Sequence, residues 1–114
     1  MAIKIIICKV GEEPKVTEIE SGLDAMQAVV GGLIECVAIT ADETGGVDLW
    51  CNEEGLFTCE PNRLVGQTPI HGDFFLARHD NEGNTCSLED ADTDKWQPFI
   101  ADAPMAITAL LRPS

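Results

Sequence analysis

Tyrosine is missing from this sequence altogether, and bases are scarce: 7 Lys and Arg stand against 20 Asp and Glu, a formal charge of −13. Such a surface repels phosphate, so long-range attraction to nucleic acid is excluded as a driving force. No apolar run reaches the length of roughly 18 residues that a membrane span requires. The apolar start "MAIKIIICKV" carries Lys4 and Lys9 and has no small-residue cleavage site. It predicts a first strand rather than a signal peptide, and with it a cytosolic location. The five cysteines (Cys8, Cys36, Cys51, Cys59 and Cys86) form no C-x-x-C pair and are odd in number. This argues against a disulfide framework and against a structural zinc site.

Motifs that carry common chemistries are also absent. There is no G-x-S-x-G, no Gly-rich phosphate loop followed by Lys, no H-E-x-x-H and no G-x-G-x-x-G. His71 and His79 are expected at opposite ends of one strand, about 26 Å apart if it is straight, which disfavours a shared metal. Either imidazole suits a general base, but no motif surrounds it, and a non-enzymatic protein without metal or cofactor is the expectation. The alternation of Asp90, Asp92 and Asp94 invites a calcium-loop reading. Lys95 where that loop needs Gly, and Ala101 where it needs Glu, argue against it.

What remains is enough apolar sequence for one domain over residues 1–114: 45 % hydrophobic and 24 % charged. "IKIIICKV" predicts a strand, and "KVTEIE" an edge strand returning from it. "SGLDAMQAVVGG" predicts a helix capped by Ser21, stopped at Gly31 and Gly32, with Leu23, Met26 and Val30 on its apolar face. "LIECVAIT" and "GVDLWCN" predict two strands joined by a polar turn. Asn52-Glu53-Glu54-Gly55 then predicts a hairpin loop with a left-handed glycine, so that Cys51 and Cys59 end adjacent strands, reduced and metal-free. Pro61 and Asn62 suit a turn. Arg63, one of three arginines, has a fork suited to a phosphate, a carboxylate or a carbonyl, with Glu53, Glu54 and Glu60 as near ion partners.

"GDFFLARHD" predicts a strand, and Asn81-Glu82-Gly83-Asn84 a second glycine turn. Two such turns predict a mainly antiparallel sheet of four to five strands in an α+β fold, with one main helix on one face and a short C-terminal helix. Residues 80–102 form an acidic segment, with Lys95 its single lysine. Within it Ser87 or Thr93 is expected to cap a short helical turn that carries Trp96 and Phe99 and is limited by Pro98. "APMAITALLRPS" predicts a last helix, with Pro104 in its first turn, available to an oligomer interface.

Taken in order, "GLDAMQAVVGGLIECV", "CNEEG", "PNR", "GDFFLARHDNEGNTCSL" and the acidic segment ending in an aromatic resemble the family called domain of unknown function 3846. The resemblance covers nearly the whole chain and implies an accessory protein of phages, plasmids and conjugative elements, a setting in which many small proteins act against host defence. No activity comes with it. Three functional readings stay open. Glu89, Asp90, Asp92 and Asp94 present an acidic surface to a basic host protein and inhibit it. Alternatively Asn62, Arg63 and Arg78, with Trp50 or Trp96 stacking, capture a nucleotide signal in a pocket between subunits of a homo-oligomer. In the third reading the charge serves solubility alone.

Overall fold

The structure is a computed structural model that describes residues 1–106, and within them every side chain except those of Ala38 and Phe57. The main sheet has six strands: β1 (Ala2–Cys8), β2 (Lys15–Glu20), β3 (Ile34–Ala38), β4 (Gly46–Asn52), β7 (Phe74–His79) and β8 (Thr85–Cys86). Its order is β2-β1-β7-β4-β3, with β8 pairing β7 beyond the point where β1 leaves it. Every pairing is antiparallel, as the glycine turns lead one to expect. β5 (Pro61–Val65) and β6 (Thr68–His71) form a separate two-stranded ribbon, absent from the sequence reading.

The sheet is covered on both sides, and its central strands therefore read as apolar runs rather than alternating ones. On one face α1 (Leu23–Val30) sets Met26 and Val30 against Ile3, Ile5, Ile7, Phe75 and Ala77. On the other, α3 (Asp90–Ala101) and the ribbon bring Trp96, Ile100 and Ile70 onto Ile6, Val47, Leu49, Phe74 and Leu76. Phe74 to Ala77 on β7 are wholly buried. Burying a side chain of this kind contributes about 1.5–3 kcal/mol, so β7 is the energetic centre of the fold.

Several local expectations are corrected. α1 starts from Gly22 and not Ser21, because the Ser21 N–H is still held by the Met1 carbonyl at 2.8 Å, one rung past the β1–β2 ladder. Leu23, on the first turn, stays 58 % exposed. Its C-terminal stop is as expected: Gly31 is left-handed and donates to the Gln27 carbonyl.

Asn52–Gly55 does not close a hairpin. The chain enters a single helical turn, α2 (Gly55–Thr58), so Cys51 and Cys59 do not end neighbouring strands. Gly55 is needed for clearance instead of for a left-handed angle: a Cβ there would lie 2.6 Å from the His71 carbonyl oxygen. Pro61 and Asn62 open β5 instead of forming a turn. His71 ends β6 while His79 ends β7, so the two do not share a strand.

α3 is twelve residues long and runs through Pro98. Pro98 has no N–H to donate to the carbonyl of Asp94, one turn before it, and Asp94 is an exposed residue. Neither Ser87 nor Thr93 caps it. Glu89 does, in a capping box with Asp92, where each side chain accepts from the other's backbone N–H. The expected last helix lies mostly outside the described residues. Its start is extended: Met105 bridges to Arg63, and the Leu64 N–H donates to the Pro104 carbonyl at 2.7 Å.

Candidate functional site

Arg78 projects from β7 on the α3 side and is 7 % exposed. Its Nε and Nη2 donate to the two oxygens of Asp92 at 2.8 and 2.9 Å, the fork-to-carboxylate geometry that guanidinium favours. Nη2 also reaches Asp42 at 3.1 Å, and Nη1 reaches the Thr44 hydroxyl at 3.3 Å. One buried cation thus holds the β3–β4 turn and the first turn of α3 together. Arg78 and Thr44 bring the Asp42 carboxyl down to about 2, and Arg78 likewise lowers Asp92. Asp92 is 8 % exposed and also accepts the Glu89 N–H at 2.8 Å, so it is part of the interior rather than of a contact surface.

Around this centre three acidic segments converge. The Asn81 amide donates to the Glu43 carbonyl at 2.9 Å, which clips the β7–β8 turn onto the β3–β4 turn. Within the β7–β8 turn, Asp80 accepts the N–H groups of Glu82 and Asn84 at 2.9 Å each. Glu43, Glu82 and Glu89 are exposed on this end of the molecule. Of the other sequence-predicted acids, Asp90 pairs with Lys4 at 2.7 Å and Asp94 is exposed. Asp42 and Glu43 were missed because nothing local in "ADETG" says that it will meet residues 80–92.

Asn62 and Arg63 are buried where β1, β5, β7 and α3 meet. The Asn62 amide donates to the carbonyls of Cys8 and Gly72 at 3.1 and 2.9 Å. Arg63 donates to the carbonyls of Ile100 (3.3 Å) and Glu12 (3.1 Å), and to Asn62 Oδ1 at 3.5 Å. The carbonyl partner is thus realised, rather than Glu53, Glu54 or Glu60. Trp50 lies partly buried on the α1 face and Trp96 is buried on the other, so the structure does not bring the two indoles together. A nucleotide held by Asn62, Arg63 and Arg78 would have to replace these internal bonds.

His79 and Asp48 form a pair that the sequence reading did not contain: Nδ1 donates to the buried carboxylate at 2.7 Å, and the ring is 31 % exposed. This orients the imidazole, one requirement of a general base. It equally ties the end of β7 to β4, and only the diagonal register of the two strands could have revealed it.

No helix among the described residues is long and apolar enough to cross a membrane. No curated protein and no solved structure matches the chain. The model of the family described as "Domain of unknown function (DUF3846)" matches residues 3–99, which takes in every element from β1 through most of α3 and all three acidic segments. The chain belongs to that family.

Proposed function

We propose that this chain is a non-enzymatic binding protein whose acidic end, centred on Glu43, Glu82 and Glu89, engages a basic protein surface. The supporting observation is where the positive charge sits. Arg63 and Arg78 are buried and Lys4 is half-buried, so among the described residues Lys9, Lys15 and Lys95 are the exposed bases. Asp48 and Asp92 are buried in turn, but the remaining acids stay outside and far outnumber those exposed bases, so the surface is strongly negative. In the phage or mobile-element setting that the family resemblance implies, the partner is a nucleic-acid-binding component of a host defence system, and the protein acts by covering its basic face.

Attraction of this kind acts over about 8 Å at physiological ionic strength and steers association more than it holds the complex. The test uses the triple variant Glu43→Gln, Glu82→Gln, Glu89→Gln in a protection assay, and in stopped-flow association with purified basic components of the host defence systems it protects against. Protection should be lost, and the association rate should fall by about tenfold at low salt and less at high salt. Full protection by the triple variant would refute the reading and leave the charge a matter of solubility.

A further inference from the structure

The main sheet ends in two edge strands, β2 and β3, each paired on one side only. On β3 the Leu33 carbonyl accepts the Glu53 N–H at 2.8 Å, and the Ile39 N–H donates to the Val47 carbonyl at 3.0 Å. In the register that joins these two rungs, Glu35 and Val37 also turn their backbone groups to β4. Ile34, Cys36 and Ala38 turn theirs outward, and none has a backbone partner there among the described residues.

This edge lacks the devices that close most edges. From Leu33 to Thr40 it holds no proline and no lysine, and Glu35 is its single charge. Cys36 is exposed, and Leu33 beside it is 60 % exposed.

We propose that β3 pairs with β3 of a second copy of this chain, antiparallel about a twofold axis at Cys36, so that the two main sheets become one. In that register Ile34, Cys36 and Ala38 bond the partner's Ala38, the partner's Cys36 and the partner's Ile34, and every outward N–H meets an outward carbonyl. Leu33 lies opposite the partner's Ile39 and Glu35 opposite the partner's Val37, so no acid directly faces another. Moving the axis one residue, to Glu35, would set that carboxylate against its own copy, which is destabilising.

The other edge fails the same requirement. The Ser21 N–H is held by the Met1 carbonyl, so by alternation Val16, Glu18 and Glu20 turn outward on β2. An axis that used all three would pass through Glu18 and oppose it to itself. The charges thus select β3 over β2, and the self-complementary pattern of β3 selects a second copy as its occupant. Two strands of five residues bury little area, so the dimer is weak and depends on concentration. Each copy carries a formal charge of −13, so the dimer tightens as salt rises. The acidic end meeting a basic protein has the opposite salt response.

The test is sedimentation equilibrium of the whole chain, kept reduced, over about 0.01–1 mM at low and at high salt, the range of a weak association. A monomer–dimer equilibrium should appear, tighter at high salt. Cys36→Pro removes one outward N–H from each copy and no bond of the β3–β4 ladder, and should weaken the dimer by about tenfold or more. As proline can disturb the strand itself, Cys36→Glu is the second variant. It should weaken the dimer by about threefold at low salt, with the circular dichroism of the sheet unchanged. Val16→Glu adds the same charge to the β2 edge and should have a smaller effect. A chain that stays monomeric throughout, as it would if this edge takes only a strand of another protein, would overturn the proposal. So would a dimer loosened by salt, one indifferent to both Cys36 variants, or one as sensitive to Val16→Glu as to Cys36→Glu.

Discussion

The two buried arginines, Arg63 and Arg78, are equally hidden but held by different chemistry. Arg78 is met by two carboxylates, Asp92 and Asp42, whereas Arg63 is met by backbone carbonyls and the Asn62 amide. The difference teaches that nearness in sequence does not choose an ion partner. Arg63 has Glu60 three residues away and ignores it; Arg78 sits in an apolar strand and draws acids from 14 and 36 residues away. Where a guanidinium emerges among the ends of several elements, orphan carbonyls already surround it and satisfy its fork.

Removing each cation should therefore have unequal effects. Arg78→Met leaves Asp92 buried without its partner and should destabilise by about 4 kcal/mol in chemical denaturation. Arg63→Met leaves carbonyls rather than a charge, and about 2 kcal/mol is expected from the same measurement. A loss at Arg63 equal to or above that at Arg78 would reverse the comparison.

Acid separates the two centres more finely. Asp42 titrates at about 2 in the folded chain and Asp92 is lowered too, against about 3.9 for an unfolded aspartate. The folded state therefore binds fewer protons than the unfolded one across that window. The stability from the Arg78 centre is complete above about pH 4 and is lost as pH falls toward about 2. Relief of repulsion among the other acids works in the opposite direction, so the gap to a variant is the better measure. The stability gap between the native chain and Asp92→Asn should narrow on acidification, while the gap to Arg63→Met should hold constant. Parallel behaviour of both gaps in pH-dependent urea unfolding would show that the two centres do not differ as described.

Much of the fold was legible, because its signals are local. The β-branched run of β1, the polar return to β2, the left-handed stop at Gly31 and the turn at Gly83 each act within a few residues. Asn52–Gly55 misled for a physical reason. A glycine can be required by an angle or by a neighbour's backbone, and only the second, set by β6, applies at Gly55. The acidic site was half legible. Residues 89–94 stood out by composition, but which of them face outward depends on Arg78, whose two partner segments meet only in the folded chain.

The place of β7 has a consequence for how the chain is made. β1–β2 and β3–β4 are finished hairpins well before Phe74 is synthesised, yet they do not touch along their ladders; β7 lies between them and pairs with both. Until residue 79 has left the ribosome, each hairpin carries an unpaired edge and an apolar face with nothing to close it, and two nascent chains on one message offer each other the missing strand. Closure must then bring Ile6 to Leu76 across some seventy residues, a slow, non-local step. The waiting hairpins, rather than the finished protein, thus bare the β1 and β4 edges that β7 later covers, while Glu18, Glu20 and Glu35 lie on the outer strands β2 and β3.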